Sequence, residues 1–237
     1  MALPKIGYPT YELELPSSGK TVKYRPFLVK EEKVLLMALE GGDEKATTNA
    51  VKDLLKNCVI SRIKVDQLPS FDLEYLFLKI RAASIGEIIN LTVTCLDDNK
   101  TEVEATININ QIEVFKPEGH DTKIMFDEKT GIVMKYPSMK QFVEREFLQK
   151  DMKTEDVYDF IAESIDQIFD ADEVYDSSTT TKKEFRTFVD GLTTKQFEKI
   201  QQFYITAPKL RHKFTVTNPN TGKESEYTLE GLQSFFA

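Results

Sequence analysis

The same turn sequence stands near both ends of the chain, and each copy is embedded in period-two alternation. Pro16-Ser17-Ser18-Gly19-Lys20, with Tyr24 beyond it, matches Pro219-Asn220-Thr221-Gly222-Lys223, with Tyr227 beyond it, at identical offsets. Before the first turn Tyr11, Leu13 and Leu15 alternate with Glu12 and Glu14. After it Val22 and Tyr24 alternate with Thr21 and Lys23. Alternation sends successive side chains to opposite faces of a strand, and Gly fits the left-handed residue that completes a bulged hairpin turn. β-structure at both ends excludes an all-helical bundle. The echo has two readings: one common hairpin turn used twice, or two similar β-edges used in similar docking. No repeat of about 20–50 residues accompanies it, which excludes a solenoid.

Between the ends the period becomes helical. Val34, Leu35, Met37 and Ala38 precede Gly41-Gly42, and Val51, Leu54, Leu55 and Cys58 mark a second helix over 47–60. Leu73, Leu76, Phe77 and Ile80 mark a third, behind Ser70 or Asp72 as cap and ending near Gly86. Strands are expected over 88–94 and 102–109, joined by Asp97-Asp98-Asn99, where Asn tolerates the left-handed slot. Short strands follow over 112–115, 123–126 and 132–136.

The second half reads as mostly helical. Segments 139–149 and 155–169 are expected helices, the latter with Val157, Phe160, Ile161, Ile165 and Ile168 on one stripe. Residues 183–190 continue the pattern, and Thr193 with Gln196 forms a capping box for a helix carrying Phe197, Ile200, Phe203 and Tyr204. A last hairpin over 213–227 leads into 229–236. The expected fold class is α+β, with antiparallel hairpins at both ends, a small central antiparallel sheet, and helices before and after it. The expected division is an N-terminal α+β region, 1–137, and a helical region with the C-terminal hairpin, 138–237, or else one compact unit.

Composition narrows the function classes. The chain of 237 residues carries 39 acids against 31 bases, a net charge of −8, which argues against a nucleic-acid partner held by a basic surface. With two Cys and two His, a multi-His or multi-Cys metal centre lacks ligands, and no cofactor is expected. Cys58 and Cys95 read as buried free thiols. No apolar run approaches the ~18 residues that span a bilayer, and the N-terminal residues lack a signal-peptide pattern. No membrane partner and a cytosolic site of synthesis are therefore expected.

Several motifs fall short of chemistry. Ser18-Gly19-Lys20-Thr21 resembles the end of a P-loop, but Glu14 stands where a Gly is needed and a strand follows instead of a helix. Ten acids crowd between Asp151 and Asp176, with Lys153 the one base. They read as a solvated helix face, or as an acidic docking surface for a basic partner. Asp170-Ala171-Asp172 opens like a calcium loop, but Val174, Tyr175 and Thr181 fail at the required positions. His120 and His212 stand apart from any Ser or Cys motif, so no triad is legible. The chain is read as no enzyme. The alternatives to an assembly protein are an acidic binding module and an enzyme using a carboxylate pair that sequence does not reveal. Phe235 and Phe236 are adjacent and cannot share one helix face. One anchors the chain end to its own core, and the other is free to plug a partner's groove.

Three stretches carry a family resemblance. Tyr24-Arg25-Pro26-Phe27-Leu28-Val29-Lys30-Glu31-Glu32-Lys33 follows the first hairpin. Phe77-Leu78-Lys79-Ile80-Arg81-Ala82-Ala83-Ser84-Ile85-Gly86-Glu87 joins the third helix to the central strands, and Gly231-Leu232-Gln233-Ser234-Phe235-Phe236 closes the chain. Together they resemble the T4-type bacteriophage baseplate family, the hub assembly proteins of contractile-tailed phages, from end to end. The resemblance implies a role in building the tail hub, as a subunit of the virion or as an assembly chaperone, with other phage tail and baseplate hub proteins as partners and self-association as a further option. It implies the host cell cytoplasm during assembly and the tail baseplate in the virion. It supplies no catalytic residues. Pro26 restrains Arg25 to an extended conformation, and Arg25 can then form a fork to a carboxylate. The fork is either an internal brace between hairpin and helix or a contact with a neighbouring protein. Arg25, Pro26, Phe27, Phe235 and Phe236 are therefore the candidate docking residues.

Overall fold

The computed structural model describes residues 7–42, 44–138, 141 and 154–231. In chain order the elements are β1 (Tyr11–Glu14), β2 (Thr21–Tyr24), α1 (Val29–Glu40), α2 (Glu44–Cys58), α3 (Ser70–Ile85), β3 (Ile88–Thr94), β4 (Glu102–Asn108), β5 (Glu113–Phe115), β6 (Lys123–Met125), β7 (Gly131–Met134), α4 (Thr154–Glu163), β8 (Ile165–Phe169), β9 (Val174–Asp176), α5 (Lys182–Asp190), α6 (Thr194–Ile205), β10 (Lys209–Thr217) and β11 (Glu224–Glu230). The class is α+β, the described strand pairs are antiparallel, and hairpins stand near both ends. The helix expected over 139–149 lies outside the described residues, apart from Gln141.

Contacts divide the chain into two compact units, Met1–Phe115 with Lys209–Ala237, and Lys116–Pro208. The division expected at 137/138 does not follow them. β7 pairs with β8 across that point, and β10 pairs with β5 from far up the chain. Such pairings join distant residues, so no local pattern specifies them. The second unit is inserted between Phe115 and Lys209, which are themselves partners in the β5–β10 ladder.

The first unit holds the hairpin β1–β2, the ribbon β3–β4 and the sheet β11-β10-β5. The small central antiparallel sheet expected over 88–94 and 102–109 is the β3–β4 ribbon. In α3, Phe71, Leu73, Leu76, Phe77, Leu78 and Ile80 are all buried and circle the helix. A helix with no polar face belongs inside a core, and α3 packs against α2, β5 and β10. Each fully buried Leu here contributes about 1.5–3 kcal/mol of transfer free energy. Cys58 and Cys95 are both buried and free. Burial pushes the Cys58 thiol up to about 11 despite the charge of nearby Arg25, so it stays a thiol.

The two echoed turns have the same geometry. Leu15 N–H donates to the Lys20 carbonyl at 3.0 Å and Gly19 N–H to the Leu15 carbonyl at 2.9 Å. Asn218 N–H donates to the Lys223 carbonyl at 2.8 Å and Gly222 N–H to the Asn218 carbonyl at 2.9 Å. Gly19 and Gly222 take φ of 66° and 71°, where a side chain is strained. Cross-strand aromatic pairs repeat as well, Tyr11 on Tyr24 at 5.6 Å and Phe214 on Tyr227 at 5.5 Å. Both turns are fastened within the first unit by aspartates. Ser17 donates its amide and hydroxyl to the buried Asp72. Asn218 donates to both Asp97 and Asp98, on the β3–β4 turn where Asn99 takes φ of 53°.

The second unit is built on the sheet β6-β7-β8-β9. Its core gathers Ile124, Ile132, Met134, Ile161, Ile165, Ile168, Phe185, Val189, Ile200 and Phe203. The single helix expected over 155–169 is instead α4 followed by β8. Ser164 marks the switch: its amide and hydroxyl both donate to the Phe160 carbonyl, and its own carbonyl accepts from Lys135 N–H. The apolar stripe does reach the core, but beyond Ser164 it does so as a strand. β8 is flanked on both sides by β7 and β9, so paired backbone replaces the helical ladder. The Thr193–Gln196 capping box forms as expected at α6.

Part of the acidic stretch is engaged inside this unit. Arg186 of α5 reaches Glu155 at 2.6 Å and Asp159 at 3.6 Å on α4, and Asp190 at 3.3 Å. Lys182 reaches Glu163 at 3.2 Å. Asp170 accepts the amides of Asp172 and Glu173, closing a turn.

Candidate functional site

The stretch from Tyr24 to Lys33 connects the first hairpin to α1, and its polar groups are turned inward. Beyond β2, Tyr24 bridges to Val59, and Arg25 N–H donates to the Cys58 carbonyl at 2.9 Å. Pro26 follows, so Arg25 is held extended with its side chain folded back. Its guanidinium is 7% exposed as a residue and meets Glu31 Oε1 at 3.1 Å. It also donates to the Pro26 carbonyl at 2.8 Å and lies 5.2 Å from the centre of the Tyr8 ring.

Glu31 is placed to take this pair. It is the third residue of α1, and its Oε2 accepts Leu28 N–H at 2.6 Å, satisfying one amide the helix end leaves open. Burial alone would push the Glu31 carboxyl up. The hydrogen bonds from Arg25 and Leu28, with the charge of Arg25, outweigh burial and hold it below the usual range. Burial acts against the Arg25 charge too, and the bond to Glu31 overcomes it, raising Arg25 above its ordinary value.

Phe27 is buried, and its amide donates to Ser84 Oγ at 2.9 Å, while Ser84 donates on to the Ile80 carbonyl at 2.6 Å. Two of the three family-like stretches therefore meet: the one leading into α1 is hydrogen-bonded to the last turn of α3. Pro26 is half-buried. Phe235 and Phe236 lie outside the described residues. Of the candidate docking residues, Arg25, Pro26 and Phe27 come together as an internal brace.

The brace holds out a helix face that the docking residues did not include. Val29, Val34, Leu36 and Met37 of α1 are 80%, 54%, 51% and 62% exposed, with Leu28 and Leu39 partly exposed beside them. At 100° per residue those four side chains span one broad side of the helix, interleaved with Lys30 and Lys33. Glu31 and Leu35, on the opposite side, are the buried residues of α1. The sequence signal was the unbroken apolar run from Val34 to Leu39. Six consecutive apolar residues circle a helix, so a helix buried on one side must expose some of them.

Among the described residues, no group of three or more His, Cys, Asp or Glu is placed to hold a metal ion, and no helix is long and apolar enough to cross a membrane. A family model described as T4 bacteriophage base plate protein matches residues 8–237. Comparison with curated proteins and with solved structures finds no match.

Proposed function

The chain belongs to the T4 bacteriophage base plate protein family, and from that premise we propose that it helps build the central hub of the baseplate of a contractile-tailed phage. It does so through protein–protein contacts and without bond chemistry, either as a hub subunit or as an assembly chaperone. Its partners are other baseplate proteins of the same phage, met in the host cell cytoplasm during assembly.

The observation that carries this reading is the exposed apolar side of α1. A buried ion pair holds the helix by its first turn, and the helix spends Leu35 on its own core while leaving Val29, Val34, Leu36 and Met37 to solvent. On this reading Arg25, Pro26 and Phe27 serve docking by aiming α1.

The test is co-expression with the other baseplate proteins of the phage. Met37→Glu places a charge in the centre of the face at a position that makes little contact with its own core. It is expected to abolish co-purification while leaving thermal unfolding within about 2 °C, since exposed substitutions usually fall within about 0.5 kcal/mol. Undiminished co-purification refutes the α1 face. Protein composition of purified virions separates the two roles: presence identifies a subunit, absence a chaperone.

A further inference from the structure

Arg81, a half-buried cation of the first unit, has no counterpart among the described residues. Arg81 lies on α3, in the second family-like stretch, and is half-buried. Its Nη1 is shut off from solvent and bonded to nothing, and the rest of its guanidinium makes no hydrogen bond or ion pair either. The chain holds 39 acids, and none of the described ones reaches it. Burial therefore pulls Arg81 below its ordinary value, and no acid among the described residues offsets the effect. Arg25 shows the contrast, because the same chain supplies that guanidinium with Glu31.

Apolar surface lies exposed beside it. Ile85, one turn further along the same side of α3, is 55% exposed. Ser84, between the two, carries the hydrogen bond to Phe27, the residue from which the chain runs into α1. The end of α3 that presents Arg81 and Ile85 is thus fastened to the start of the α1 face.

We propose that Arg81 anchors a carboxylate presented by the partner protein, so that the partner carries an Asp, Glu or chain-terminal carboxylate flanked by apolar residues that pack on Ile85 and the α1 face. This rests on the docking reading of α1 and specifies the partner's chemistry. With Nη1 shut off, the Nε and Nη2 edge of this planar group is the side left to meet a carboxylate at two points, and it is already partly stripped of water before the partner arrives. No acid among the described residues partners it, and the matching charge is one supplied from outside.

The experiment measures affinity and melting temperature of Arg81→Met and Arg81→Lys, using the full chain and each co-expressed baseplate protein of its phage that binds wild type. Arg81→Met keeps the length and removes the charge. It is expected to weaken binding by at least about tenfold, with Arg81→Lys intermediate because a point charge replaces a fork. The melting temperature should hold or rise, since an unpaired half-buried charge is removed. Wild-type affinity in Arg81→Met overturns the proposal. So does a fall in melting temperature of several degrees, which assigns Arg81 a structural role. Met37→Glu separates the failures. If it abolishes binding while Arg81→Met does not, the α1 face stands and the carboxylate anchor falls. If both variants bind as wild type, or if no co-expressed baseplate protein binds the wild-type chain, both readings fall.

Discussion

Replacing Glu31 by Ala should destabilise the first unit severely, and the size of the effect follows from the geometry. The Glu31 and Arg25 side chains are 4% and 9% exposed, so the pair is screened little by water. Removing the carboxylate leaves Arg25 buried with the Pro26 carbonyl, the Cys58 sulfur and the Tyr8 ring, none of which carries a compensating charge. It also frees Leu28 N–H at the end of α1. Breaking one side of a buried pair costs about 3–5 kcal/mol. Allowing Arg25 to relax toward solvent brings the figure to about 3 kcal/mol, a shift of about 6–12 °C for a unit of this size. Circular dichroism during heating reads the shift directly. A double variant, Arg25→Met with Glu31→Met, removes both charges and should recover most of the loss, because two apolar side chains leave no orphan. A single-variant shift under 2 °C, or a double variant no more stable than the single, refutes the brace. Linkage gives an independent check. The folded carboxyl lies below its unfolded value, so the stabilisation is complete above the ordinary carboxylate range and is lost as pH falls through the depressed folded value.

Two further outcomes follow from the second unit. A Cβ on Gly131 would sit 2.5 Å from the Ile124 carbonyl oxygen, which sheet pairing holds in place, and 2.6 Å from the Phe169 ring, so Gly131→Ala should cost about 1–3 kcal/mol in urea unfolding. An unchanged urea midpoint would refute the crowding. His120 is stacked on Tyr136 and Phe203 and bonded at both ring nitrogens, to Thr206 at 2.9 Å and Tyr136 at 2.8 Å. Burial and then Lys116 pull its protonation below the ordinary value, with Asp121 opposing in part. The unfolded chain thus takes up the proton first, and stability that is complete above about pH 6.5 is lost as pH falls below it toward the folded value. His120→Gln should flatten the decline in melting temperature between pH 7 and 5, and an identical decline in that variant would refute the assignment.

What the sequence determined by itself is local. The two Pro-x-x-Gly-Lys turns, the left-handed Asn99 and the Thr193 capping box all formed as their residue chemistry requires, because each depends on contacts within about six residues. The α+β class followed from the same local periods. Pro26 and Arg25 could also be read as a fork seeking a carboxylate. Which carboxylate it finds was decided by tertiary structure, since the choice depends on whether α1 turns its third residue inward. Tertiary structure likewise turned 165–169 into a strand, because two neighbouring strands were there to pair with it. It joined β5 to β10, residues that stand far apart in the chain. Above all it decided which apolar residues of α1 stay outside. A run of six around a helix states that some must be exposed, but only the packing of Leu35 and Glu31 onto the first unit selects Val29, Val34, Leu36 and Met37 as the side left to solvent.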